Sequence, residues 1–244
     1  MKTAAKVIFI FDDVDGGIAT AITDGLQPNT SSTFERSLAL DFLLKESFDL
    51  SLDRYGIMDT RASGDVTHFV DTNGIPQVSI LVLRKYESPV LACAISEVLS
   101  SLAGEETSRM PSLIFPFILD SSKIKLERKN SVDENIYGIQ IGPETDMMQV
   151  LASRHEKAPS SMQIHYEPLS CVLQLVRVLK TSSFILVGQT GQNQTLQNDL
   201  EVICKIGETL ASASSLQFVK EKVTWNPTKA SKELEKEPWR ALYG

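Results

Sequence analysis

The apolar positions of the chain fall into short blocks with two different periods. Residues 7–11, Val-Ile-Phe-Ile-Phe, are uniformly apolar and rich in β-branched and aromatic side chains, and Asp12-Asp13-Val14-Asp15-Gly16-Gly17 follows at once. A run of that length and type, closed by turn residues, predicts a strand buried on both faces. Residues 24–33 read as a loop, and residues 34–45 fit a helix capped by Thr33 or a strand equally well. Apolar blocks at 68–70 and 78–83 flank Asp71-Thr72-Asn73-Gly74, and Asn-Gly supplies the left-handed backbone of a tight turn, so a hairpin is expected. After it, Ser88-Pro89 marks a helix start with serine as cap and proline in the first turn. Val90, Leu91, Ala94, Ile95, Val98, Leu99 and Leu102 repeat at helical spacing to form one wide apolar face, with Gly104 placed to end the helix. A second strand follows at 113–119. Strand, helix, strand at this spacing is a parallel crossover, the unit of an α/β domain.

Between residues 120 and 166 the pattern loses its regularity around one short element at 136–141. It recovers at Glu167-Pro168, which opens a helix with Leu169, Val172, Leu173, Val176 and Leu179 on one face. A strand at 183–187, a polar loop at 188–194 and a last helix carrying Leu196, Leu200, Ile203 and Leu210 complete it. Two rounds of the same grammar predict one three-layer α/β/α domain over residues 1–216, with a mostly parallel central sheet and an irregular insertion at about 120–166. From Gln217 to Gly244 lysines and glutamates alternate, which predicts a flexible, charged C-terminal tail. Its 28 residues would span about 30 Å as a coil.

Composition narrows the chemistry. At 42% hydrophobic and 23% charged residues, the 244-residue chain has the make-up of an ordinary globular protein. A net charge of -7 without a basic stripe argues against nucleic acid, and no apolar run reaches membrane-spanning length. Cys93, Cys171 and Cys204 lie far apart within apolar helical patterns and read as buried, reduced thiols, in keeping with the cytosol. The apolar run after Met1-Lys2-Thr3 is too short for a signal peptide and meets three aspartates.

The one enzyme-like feature is Asp13-x-Asp15 behind a buried strand, the spacing at which haloacid-dehalogenase-type phosphatases hold a nucleophile and an acid/base around Mg²⁺. Gly17 stands where that motif carries threonine or valine, and no partner lysine and acidic pair follow, so an acidic turn is the preferred reading. Gly188-Gln189-Thr190-Gly191 lacks the lysine of a phosphate-binding loop. His68, His155 and His165 have no metal-ligand spacing. No cofactor or metal is expected.

The chain ends Trp239-Arg240-Ala241-Leu242-Tyr243-Gly244. Leu242 can fill an apolar slot, the Tyr243 hydroxyl can hydrogen-bond while its ring packs, and the Gly244 carboxylate can meet a lysine or backbone donors. With the elements from 78 to 119 and from 167 to 213, this end resembles the proteasome assembly chaperone 1 family, in which a terminal hydrophobic-tyrosine-any signature (HbYX) enters a pocket between α-subunits of the proteasome core particle. The resemblance does not extend to residues 7–17. It implies a non-enzymatic, ATP-independent chaperone, a heterodimer with proteasome assembly chaperone 2 on the outer face of the α-ring, at work in the cytoplasm and the nucleus. Leu242, Tyr243 and the Gly244 carboxylate would be the contact set, with Trp239 and Arg240 at the pocket mouth by position alone. A scaffold or adaptor with an incidental tail is the first alternative, and a magnesium-dependent phosphatase using Asp13 and Asp15 is the second.

Overall fold

In the computed structural model, residues 1–12, 17–29, 42–103, 110–120, 122–125, 136–190 and 196–225 are described. The strands are β1 (Lys6–Phe11), β2 (Leu26–Gln27), β3 (Phe42–Leu52), β4 (Ile57–Val70), β5 (Pro76–Leu83), β6 (Ser112–Asp120), β7 (Ile124–Lys125), β8 (Ile136–Ile141), β9 (Glu156–Lys157), β10 (Gln163–Ile164), β11 (Ser183–Thr190) and β12 (Gln217–Phe218). The helices are α1 (Ile18–Gly25), α2 (Val90–Ala103), α3 (Asp146–Arg154), α4 (Glu167–Leu179) and α5 (Leu196–Ser214). Eight strands form the main sheet in the order β3-β4-β5-β1-β6-β11-β8-β9. Its centre, β5-β1-β6-β11, is parallel. An antiparallel β3-β4-β5 meander flanks it on one side and antiparallel β8 on the other. The expected three-layer α/β architecture with a mostly parallel sheet is the one observed.

The two core clusters show why the first strand is apolar throughout. Val7 and Phe9 point to the layer of α2 and α4, while Ile8 and Ile10 point to the layer of α1, α3 and α5. All four are at most 2% exposed, as a strand covered on both faces requires. In α2, Leu91, Ala94, Ile95, Val98, Leu99 and Leu102 are buried as their spacing predicts. Each large aliphatic among them contributes roughly 1.5–3 kcal/mol by leaving water. The β5-α2-β6 crossover passes over β1, which lies between its two strands.

The β4-β5 hairpin turns where Asn73-Gly74 stands. Gly74 has φ 76°, and the Asp71 carboxylate Oδ1 accepts from the amides of Asn73 and Ile75, each at 2.9 Å.

Several local expectations are corrected. Helix α2 begins at Val90, one residue later than a Ser88 cap requires, and the Ser88 hydroxyl donates to Glu167 Oε1 of α4. Residues 188–190 extend β11 instead of opening a loop, because Gly188 lets the strand pass close under Val202 and Ile206 of α5. Helix α1 and strand β2 occupy residues 18–27, in place of the loop expected from residue 24. Within 120–166 the chain forms β7, β8, α3, β9 and β10, with Thr145 capping α3 by accepting from the Met148 amide. Residues 42–45 belong to strand β3. Gly104 lies outside the described residues.

Candidate functional site

The chain does not leave the body at Gln217, as its polar composition predicts, but stays on it to Trp225. Helix α5 ends with Ser215 at φ 60°, and the Leu216 amide donates to the Ala211 carbonyl at 2.9 Å, which reverses the chain direction. Strand β12 then pairs antiparallel with β2, setting Gln217 opposite Gln27 and Phe218 opposite Leu26. The Val219 amide donates to the Gly25 carbonyl at 2.8 Å, and a 3-10 turn follows at Lys220–Lys222.

Side chains fasten this return. The Phe218 ring fits between two helices that carry glycine at the contact: a Cβ on Gly25 would stand 2.3 Å from the ring, and one on Gly207 2.2 Å. Only glycine leaves room for the ring on both sides. Lys220 Nζ pairs with Glu208 Oε1 at 2.7 Å, and the hydrogen bond and charge of Glu208 raise the Lys220 ammonium above the usual lysine range. Lys222 Nζ donates to Gln27 Oε1 at 2.8 Å, and the Thr224 hydroxyl donates to Asp24 Oδ2 at 3.2 Å. Val223 and Trp225 pack against the core of the α1-α3-α5 layer, and the buried indole Nε1 of Trp225 finds no hydrogen-bond partner among the described residues. The clasp of residues 215–225 therefore holds the last described residues on the body. Trp239, Arg240, Leu242, Tyr243 and Gly244 lie outside the described residues.

At the carboxyl edge of the parallel strands, where α/β folds place ligands, Asp13 and Asp15 also lie outside the described residues. Asp12 is exposed, and its amide donates to the Leu83 carbonyl at 2.7 Å. Beneath it Phe11 stacks on Phe117 at 5.5 Å, and Phe117 meets Tyr166 edge-on at 6.2 Å, so the space under the edge is filled by rings. Burial pushes the Asp120 carboxyl up, but the Ser122 hydroxyl and amide and the Lys123 charge and amide hold it below the usual range. It closes a turn. Among the described residues no three His, Cys, Asp or Glu side chains gather where they could hold a metal ion, and no helix is long and apolar enough to cross a membrane. His68 is buried, with Nδ1 2.8 Å from the Ser79 hydroxyl. The three cysteines are half-buried free thiols, and burial raises those of Cys171 and Cys204.

Two open clefts flank the sheet. One, about 310 Å³, lies beside the clasp between Asp24, Lys222, Lys45 and Phe69. The other, about 790 Å³, lies between β8 and α4, with an apolar floor of Ile139, Ile141, Met162 and Leu173 and with Lys157 and Arg177 on its lining.

A family model described as a domain of unknown function (DUF7894) matches residues 1–244. The chain belongs to that family. No curated protein matches this DUF7894 member. Among solved structures, PbaA of Pyrococcus furiosus, an archaeal homologue of proteasome-assembly chaperone, is similar to it with a TM-score of 0.51 at 14% identity, over 100% of this chain and 90% of that one. A Mycobacterium tuberculosis proteasome-assembly chaperone homologue is similar with a TM-score of 0.50 at 6% identity, over 95% and 94% of the two chains. A second Mycobacterium tuberculosis protein, of unknown function, is similar with a TM-score of 0.51 at 11% identity, over 98% and 77%. At these identities the likeness is one of fold.

Proposed function

We propose that this DUF7894 protein is a non-catalytic, ATP-independent chaperone for assembly of the proteasome core particle, working in the cytoplasm and nucleus. Its C-terminal Leu242-Tyr243-Gly244 docks between α-subunits of the ring, with Trp239 and Arg240 at the pocket mouth, and a second chaperone subunit of the proteasome assembly chaperone 2 type shares the outer face. The observation that carries this reading is the fold likeness to PbaA over the whole chain, which comes together with a terminal aliphatic-tyrosine-X carboxylate.

The clasp supports the same reading. It fixes the start of the segment at Trp225, and residues 226–244, taken as a coil, reach about 24 Å from there. A tripeptide anchor alone binds on the order of tens of micromolar and gains strength only while the body docks beside it, so release after assembly needs no nucleotide.

The test is affinity purification of the chain with a native C-terminus, beside a form lacking residues 242–244, with the co-purifying proteins identified. Proteasome α-subunits retained by the full chain and lost on truncation support the proposal. Equal α-subunit recovery with both forms removes the anchor, and no proteasome subunit with either removes the chaperone reading.

A further inference from the structure

The main sheet ends very differently at its two sides. One edge is β9, two residues long; the other is β3, eleven residues and about 36 Å long, paired only with β4 among the described residues. A long open edge exposes a row of unpaired backbone groups, which proteins ordinarily shorten, cover or occupy. Strand β3 also leaves Leu43 44% and Leu44 49% exposed.

The side chains of β3 are self-complementary. Phe48 and Leu50 pack toward the α2 layer, and Leu43 and Lys45 line the cleft on the opposite face beside Thr67 and Phe69. A two-fold axis perpendicular to the sheet keeps like face against like face, so only registers that oppose residues of the same parity are allowed. Centred on Glu46, such a pairing opposes two glutamates; centred on Asp49, two aspartates; centred on Phe48, it leaves every charge unmatched. Centred on Ser47, it sets Lys45 opposite Asp49 twice and Leu44 opposite Leu50 twice, and cross-strand pairs of this kind are what stabilise one register over another. The Arg61 guanidinium already on Asp49 adds a second cation to that pair.

We infer that β3 is an interface with a second copy of this chain, in which two β3 strands pair antiparallel about Ser47 to continue the sheet across both molecules. The surface is independent of the proteasome reading and leaves both helical layers and the carboxyl edge open to other subunits. Strand pairing alone buries less than a standard interface, so the dimer forms in the micromolar range.

The experiment is sedimentation equilibrium of the full chain from about 1 to 100 micromolar. The native chain is expected to pass from 27.0 kDa to twice that mass. Lys45→Asp sets a carboxylate against the Asp49 carboxylate at both symmetric positions and weakens the dimer about tenfold or more. Asp49→Lys does the same with lysines, whereas an equimolar mixture of the two variants restores every attraction and forms the mixed dimer. The double variant Lys45→Asp/Asp49→Lys also dimerises, so the logic survives if Asp49→Lys alone fails to fold. Ser47→Cys, sited on the axis, joins two copies by a disulfide under oxidation. A native chain that stays monomeric throughout overturns the inference. So does a dimer that neither single variant weakens.

Discussion

The clasp on Phe218 makes a prediction whose sign changes with background. In the native chain, a Cβ at position 207 would meet ring atoms of Phe218 at 2.2, 2.4 and 2.5 Å, and Gly25 closes the other side at 2.3 Å by the same measure. The ring therefore has no sideways escape, and Gly207→Ala must push it outward at a cost of about 1–3 kcal/mol. Alanine recovers up to about 1 kcal/mol in helix propensity, because position 207 is interior to α5. The net expectation is a loss of about 0.5–2 kcal/mol. Phe218→Ala alone costs about 2–3 kcal/mol, the low end for a phenylalanine because the ring is only half-buried. With the ring gone, the three atoms nearest to a Cβ at 207 are gone with it, so Gly207→Ala should stabilise the Phe218→Ala background by about 0.5–1 kcal/mol. Urea denaturation of the four proteins, followed by far-ultraviolet circular dichroism, gives the coupling directly. Equal costs of Gly207→Ala in both backgrounds would refute the account of why glycine stands there. Amide exchange adds a local readout: residues 216–225 should lose protection in Phe218→Ala while the central strands keep theirs.

Three further outcomes follow from single sites. Burial, opposed in part by the Glu46 charge, holds the His68 imidazole below its ordinary 6.5, so the unfolded chain binds a proton first as pH falls. Stability is then full above 6.5 and drains as pH falls through 6.5 toward the folded value. A denaturation midpoint measured from about pH 7 to about pH 5 should decline, and His68→Gln should flatten the decline. Trp225→Phe removes a buried indole N–H that has no partner among the described residues, so thermal stability should be unchanged or rise by up to about 1 kcal/mol, where an ordinary buried-tryptophan substitution loses several. Gly74→Ala forces an alanine to φ 76° at the hairpin tip and should cost about 1 kcal/mol in the same melts, with nothing nearby to clash.

The parallel centre of the fold is legible because its residues see one environment. Residues 7–11 are buried on both faces and read as a continuous apolar block; α2 buries a single stripe and reads as a helix. The β3-β4 ribbon before residue 68 is not legible, and the reason is physical. Positions 43–47 are exposed along the edge, and Met58, Asp59 and Arg61 are exposed beyond the helical cover, so neither period shows. Helix α1 spans only eight residues, and α3 only nine, both below the length at which a 3.6-residue repeat declares itself. At the C-terminus composition misleads: Lys220, Glu221 and Lys222 lie on a 3-10 turn with their charges outward, while Leu216, Phe218, Val223 and Trp225 between and around them hold the backbone down. The signal is present in those four spaced apolar residues, too sparse for either period. The clasp that these four residues form comes only with the structure.

With the C-terminal end acting as the proposed anchor, the clasp and the open edge together predict how strongly one assembly would hold a ring. If two copies pair through β3, each dimer carries two C-terminal ends, each starting from a fixed Trp225. A second anchor on a short tether acts at an effective concentration near the millimolar range, so two ends can hold about 10²-fold or more tighter than one where both pockets are within reach. Lys45→Asp leaves residues 242–244 intact. In the proteasome purification it should nevertheless reduce α-subunit recovery toward that of the chain lacking residues 242–244. Recovery undiminished in a Lys45→Asp variant shown to be monomeric would mean that each end works singly, and the dimer edge would then have to be explained by something other than avidity.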